Sequence, residues 1–117
     1  RLTQLDYDRE MAFIASSPGE SGNEEFETLG VVRTVTDPNN ERAEFAIVVR
    51  SDLQYQHLGS KLLEKMIDYC RSRGTRIMVG QVMEENHRML NLADSQGFTR
   101  KRLPEDRAYE VTLNLQD

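Results

Sequence analysis

The chain has 117 residues, 38% apolar and 30% charged, which suits one globular domain with a single core and leaves no apolar run of membrane-spanning length. Its net charge of −5 disfavours a phosphate-backbone partner and suits a cationic one, since nucleic-acid binding normally requires clustered Lys and Arg. The single Cys70 cannot close an intrachain disulfide and lies within a helical pattern, as expected of a packing residue in a reducing, cytoplasmic setting.

Glu10 to Ser16 is a short apolar run ended by Ser17-Pro18-Gly19, which predicts a strand and a turn. A polar loop follows. Thr28 to Thr36 alternates in the strand period, and Asp37-Pro38-Asn39-Asn40 supplies a turn with Pro preset at its second position. Beyond it Ala43, Phe45, Ile47 and Val49 share one face and Glu44, Ala46, Val48 and Arg50 the other, which completes an antiparallel hairpin.

From His57 to Arg73 the residues Leu58, Leu62, Leu63, Met66, Ile67 and Cys70 recur at helical spacing, and Gly74 is the expected stop. Ile77 to Met83 reads as a strand. Asn86 to Gln96 reads as a second helix with Met89, Leu92 and Ala93 inward and Gly97 ending it. Phe98 to Arg102 and Ala108 to Leu115 alternate as a closing pair of strands. The order β, β, β, α, β, α, β, β calls for a mixed sheet with ligands at the carboxyl end of the parallel strands, where Val49 enters the loop.

That junction is the most informative stretch. A β-branched run empties through a short polar loop into an amphipathic helix, whose first N–H groups lack intrahelical partners and suit an anion. The spacing Gln54-x-x-His57-x-Gly59 resembles the pyrophosphate loop of the GCN5-related N-acetyltransferase (GNAT) superfamily, with His57 where that pattern has its first glycine. Asn86-x-x-Met89 leading to Gly97-Phe98 adds a second piece, and the hairpin ending in Ala43-Glu44-Phe45-Ala46-Ile47-Val48-Val49 a third. More narrowly, the segment from Arg1 to Ala15 with Ala43-Glu44-Phe45 and Val111-Thr112-Leu113-Asn114-Leu115 resembles the C-terminal module of bacterial Pat-type protein lysine acetyltransferases.

The resemblance implies a GNAT domain over residues 1–117: a central mixed, twisted sheet flanked by helices, excised from a longer chain, without the strand and two helices that usually open the fold. It implies acetyl-CoA as co-substrate and no metal. The pantetheine arm would lie against the backbone of Ile47, Val48 and Val49. The pyrophosphate would rest on amides of Gln54, Tyr55, Gln56, His57, Leu58, Gly59 and Ser60, and Asn86 and Met89 would reach the arm from the second helix. Implied partners are a lysine-bearing protein such as an acyl-CoA synthetase and an acyl-CoA-synthetase-like region of the same protein, with no nucleic acid and no membrane.

Glu44 is the expected general base, its carboxylate on the face opposite Phe45 and Ile47 and partly desolvated by the cleft. Its alternative is a strand carboxylate paired with Arg42 or Arg33. His57 either adopts an ordinary right-handed conformation with its ring turned away or donates to phosphate. Ala93 stands where many relatives carry a tyrosine that protonates the departing thiolate, leaving Ser95, water or no acid at all. Two further functions share the cofactor site: acetylation of a small-molecule amine, and acyl-CoA sensing without turnover.

Overall fold

The computed structural model describes residues 2–7, 9–17, 27–50 and 57–116. Four strands, β1 (Leu2–Tyr7), β2 (Glu10–Ser17), β3 (Glu27–Thr36) and β4 (Arg42–Val49), form an antiparallel meander. Helix α1 (Leu58–Ser72) then crosses to β5 (Ile77–Met83), which lies parallel to β4. Helix α2 (His87–Ser95), β6 (Thr99–Leu103) and β7 (Ala108–Asn114) complete the chain. All seven strands form one sheet in the order β1-β2-β3-β4-β5-β7-β6. The expected elements are present within one or two residues of their predicted ends, with β1 as an additional edge strand. Its two leucines, Leu2 and Leu5, are three apart and give no clean alternation in the sequence.

One core lies between the sheet and the two helices. Phe13, Val32, Ala43, Phe45, Met78, Val82 and Val111 face Leu62, Leu63, Met66, Ile67 and Cys70 of α1 and Leu90 and Ala93 of α2, all buried. The opposite sheet face carries Arg33, Val35, Glu44, Ala46 and Val48, all exposed. Alternation along the strands dictates this division, because residues of one parity share a face across the register. Cys70 is buried in the α1 seam and its thiol is pushed up by desolvation, which makes it a packing residue rather than a nucleophile. Within the core, Thr34 donates to the Met66 sulfur at 3.5 Å.

The β3–β4 turn is tied to the far end of α1. Asp37 Oδ1 accepts the N–H groups of Glu41 and Arg42 at 2.8 and 3.1 Å, closing the turn. Asn40 holds a left-handed φ of 56°, which Asn tolerates better than most residues. Its Nδ2 donates to the carbonyl of Arg73 at 2.8 Å, and its Oδ1 accepts from the buried Thr75 hydroxyl at 2.6 Å. Gly74, with φ 81°, makes the reversal between helix and β5.

Two stability outcomes follow from this turn. Asn40→Ala strains the backbone and leaves the Thr75 hydroxyl without its acceptor, so urea unfolding should report a loss of about 1–3 kcal/mol. Asn40→Gly relieves only the strain and should recover only part of that loss; full recovery would show that the two hydrogen bonds contribute nothing. The backbone donors of Arg42 and Glu41 lower the pKa of Asp37 below its ordinary value of 3.8. The folded state therefore favours the carboxylate: its contribution is complete above the unfolded-state pKa and is lost as pH falls through the lower folded-state value. Asp37→Asn should reduce the loss of stability measured by acid titration over that interval.

Candidate active site

Strands β4 and β5 start as a parallel pair and then separate. Their register is Arg42↔Ile77, Ala43↔Met78 and Glu44↔Val79, and it ends there although β4 continues to Val49 and β5 to Met83. The strand beside β4 on its other side remains paired throughout, from Thr36↔Ala43 to Gly30↔Val49. Phe45 to Val49 thus turn one row of backbone donors and acceptors into a gap instead of onto a neighbouring strand.

The gap widens toward the start of α1 into a cleft of about 340 Å³, bounded by Ile47 and Val49 of β4, Gly59 and Ser60 of α1, and Asn86 and Met89 at the start of α2. A second, smaller cavity of about 160 Å³, bounded by Phe45, Val82, Met83 and again Ile47, Asn86 and Met89, adjoins it between the parted strands. Gly59 keeps the entrance narrow-walled yet open: a Cβ there would lie 3.2 Å from Leu92 Cδ2 and 3.7 Å from Val49 Cγ2. The first turn of α1 carries no acidic side chain, and its N–H groups, which lack intrahelical partners, form the positive end of the helix.

Of the residues expected from the sequence, Ile47, Val49, Gly59, Ser60, Asn86 and Met89 come together around this cleft. Val48 belongs to the same strand, but its side chain is 73% exposed on the far face, so only its backbone is available. Leu58 packs against the core. His57 caps α1 with φ −96° and ψ 0°, makes no capping hydrogen bond through its side chain, and is exposed; the position does not require a glycine conformation. Gln54, Tyr55 and Gln56 lie outside the described residues.

Glu44 occupies the last paired position before the strands part. Its side chain faces away from Phe45, as the alternation requires, but it is exposed, so the partial desolvation expected of it is not found. Arg42 is engaged instead with Glu110 at 3.9 Å, and neither Arg42 nor Arg33 forms an ion pair with Glu44 among the described residues. Ala93 is fully buried, with its carbonyl accepting the Phe98 N–H. The Ser95 hydroxyl donates to the Leu92 carbonyl at 2.7 Å and borders the outer cleft only.

Arg88 and Asn91 also line the cleft and were not singled out in the sequence; they share it with Ser95, which was considered there only as a proton donor. Their i, i+3, i+7 spacing places them on one face of α2, and that periodicity was the available signal. Helix α2 buries only Leu90 and Ala93, and an ion pair brackets each end of it. Glu84, just before the helix, meets Arg102 at 2.7 Å, and Asp94, in its last turn, meets Arg100 at 3.0 Å. Both guanidinium groups also lie over the Tyr109 ring, at 5.8 and 5.2 Å from its centroid. Hydrogen bonding to Tyr109 and the charge of Glu84 raise the pKa of Arg102, which stays a cation at every relevant pH.

Among the described residues no group of three or more His, Cys, Asp or Glu side chains is placed to hold a metal ion, and no helix is long and apolar enough to cross a membrane.

Parted parallel strands that open onto an unpartnered helix start define a site for an extended ligand with an anionic head. The chain belongs to the acetyltransferase (GNAT) family, whose pattern its residues 2–98 match. It is 30% identical over 106 residues to an acetyltransferase of Pseudomonas aeruginosa, covering 91% of this chain and 55% of that protein, so it spans about half of that relative's length. The GNAT domain of Streptomyces lividans PAT superposes with a TM-score of 0.74 at 25% identity, over 93% of this chain and 64% of that one. The Salmonella typhimurium protein yncA, solved with its cofactor acetyl-CoA, has the same fold, with a TM-score of 0.71 at 22% identity over 92% of this chain and 66% of that one.

Asn86 has two jobs available to one side chain. Its Oδ1 caps α2 by accepting the Met89 N–H at 3.1 Å, which leaves its Nδ2 free to donate into the cleft. Asn86→Ala should cost about 1 kcal/mol of stability through loss of the cap. Asn86→Asp retains the acceptor and should unfold at nearly the wild-type denaturant concentration; equal destabilisation by both variants would rule out the cap as the origin.

Proposed function

We propose that this chain is the catalytic domain of an acyl-CoA-dependent N-acetyltransferase that acts on the ε-amine of protein lysines. The observation that carries this reading is the parting of β4 from β5 directly in front of the α1 N-terminus. Family membership and the likeness to the S. lividans PAT domain support it, as does a net charge of −5 suited to a cationic acceptor. The sequence resemblance to Pat-type acetyltransferases extends the proposal to a longer cytoplasmic protein with an acyl-CoA-synthetase-like region as this domain's covalent partner.

Acetyl-CoA, when bound, supplies an activated thioester. The unpaired backbone of Ile47 to Val49 accommodates its pantetheine arm as an added strand would be accommodated, and Asn86 Nδ2 donates to an amide carbonyl of the arm. Amides at the start of α1, from His57 to Ser60, hold the pyrophosphate. Glu44, at the vertex of the parted strands, takes the proton of the lysine ammonium, whose ordinary pKa is about 10.4, directly or through one water. The amine nitrogen then forms its bond to the thioester carbonyl carbon while the carbon–sulfur bond breaks. A backbone N–H near Val49 stabilises the carbonyl oxygen as negative charge develops. The nitrogen gives up its remaining extra proton to water as the amide forms, and the thiolate leaves with the bonding pair and takes a proton from water in turn, since the buried Ala93 has no hydroxyl to offer and the Ser95 proton is committed to Leu92.

Glu44→Gln keeps the size of the side chain and removes its basicity. Turnover on a lysine peptide at pH 7 should fall about 10²–10⁴-fold with acetyl-CoA affinity nearly unchanged, and part of the loss should return as pH rises toward the lysine pKa. Near-wild-type turnover would remove Glu44 from this role. Incubating the full protein with acetyl-CoA and cell extract, followed by mass-spectrometric mapping, should reveal acetyl-lysines. Labelled polyamine without labelled protein would reassign the acceptor to a small molecule.

A further inference from the structure

Resting on the acyl-CoA reading above, we infer that the inner cavity is an acyl pocket that accepts chains longer than acetyl, with a four-carbon butyryl group the best fit, and that Gly80 sets its depth through Phe45. The outer and inner cavities share Ile47, Asn86 and Met89, so they form one path from the helix start inward between the strands. The anionic end of a ligand belongs at the α1 N-terminus. Its acyl end therefore points toward Phe45 and the vertex at Glu44.

The volume of that inner space is about 160 Å³. An apolar cavity of about 150 Å³ is large enough for a benzene ring, so the space exceeds what a two-carbon acyl group fills. Its walls are Phe45, Ala46, Ile47, Val82, Met83 and Met89, with Gln81 and Asn86 as the polar members, and it opens outward past the exposed Ala46, Gln81 and Met83. Two of the apolar walls are methionines, whose unbranched side chains adapt to a chain of variable length.

What keeps the space empty of protein is the seat of one ring. Phe45 is 6% exposed and lies directly on Gly80, where a Cβ would fall 2.5 Å from its Cε1 and 2.8 Å from its Cζ. On its other side the ring meets Phe98, centroid to centroid at 5.4 Å. Any side chain at position 80 displaces the ring, Phe98 blocks one direction, and the cavity is the space that remains.

Calorimetric titration of the full chain with CoA, acetyl-CoA and butyryl-CoA tests this without knowledge of the acceptor. Butyryl-CoA should bind about tenfold more tightly than acetyl-CoA, as two additional buried methylenes imply. In Gly80→Ala the preference should shrink to about twofold or less, because the displaced ring takes the space. Should that variant fail to fold by circular dichroism, Met83→Phe fills the same space from a side chain already 45% exposed and should give the same shrinkage. Equal or weaker binding of butyryl-CoA by the wild-type protein overturns the pocket while leaving the cofactor reading intact, as does an undiminished preference in a folded variant. No binding of CoA itself overturns both.

Discussion

Everything at the candidate site depends on β4 and β5 ceasing to pair after Glu44 and Val79. A buried strand normally passes its backbone donors and acceptors to both neighbours, and leaving a row unmatched inside a protein is costly unless water or a ligand takes it up. Here β3 satisfies one side of β4 to its end, while the other side opens into a cleft. The divergence also separates the polar and apolar requirements of the ligand. In the proposed complex its anionic part would meet the amides at the start of α1 at the wide end, and its reactive part the aromatic and thioether side chains at the narrow end.

The two small residues near this gap serve it in opposite ways. Gly59 lets α1 begin close against Val49 and Leu92, so the helix amides reach the strand edge. Gly80 draws a large ring back from the gap, so the narrow end stays hollow. Around them the sheet is asymmetric: one face holds the main core, and the other buries Val79 beside Glu44 but leaves Val35 and Val48 in solvent at 50% and 73% exposure. Glu44 is exposed on that second face, at the last paired position before the strands part.

Most of the architecture could be read from local pattern. The strand alternation in Thr28 to Thr36, the helical spacing of Leu62, Leu63, Met66 and Ile67, and the stops at Gly74 and Gly97 are signals within a few residues of one another, and each placed its element. The register of β4 against β5 and the point where it fails are different, because pairing across a helical crossover has no local signature. The seat of Phe45 on Gly80 is likewise a contact between separate strands and invisible in either segment alone. Burial of Glu44 was inferred from the neighbouring cleft, and the structure instead exposes it, since alternation sets the face a side chain takes but not how deeply that face is covered. Arg88 and Asn91 were readable as one helix face but lacked the apolar character that draws attention to one.

The attachment of α2 gives the cleft walls of unequal stiffness. Strand β4 is locked into the sheet by its full ladder with β3, whereas α2 is held by the buried Leu90 and Ala93, the half-buried Met89 and Leu92, and ion pairs near its ends whose members are one-third to one-half exposed. Such pairs hold orientation while contributing little free energy, and dissolved salt weakens them. Of the two cleft walls α2 is thus the one expected to yield at the lower free energy, with Gly97, at φ 94°, ending it. A long, thin ligand can enter such a slot from the side, by displacement of one wall, without having to thread along its length.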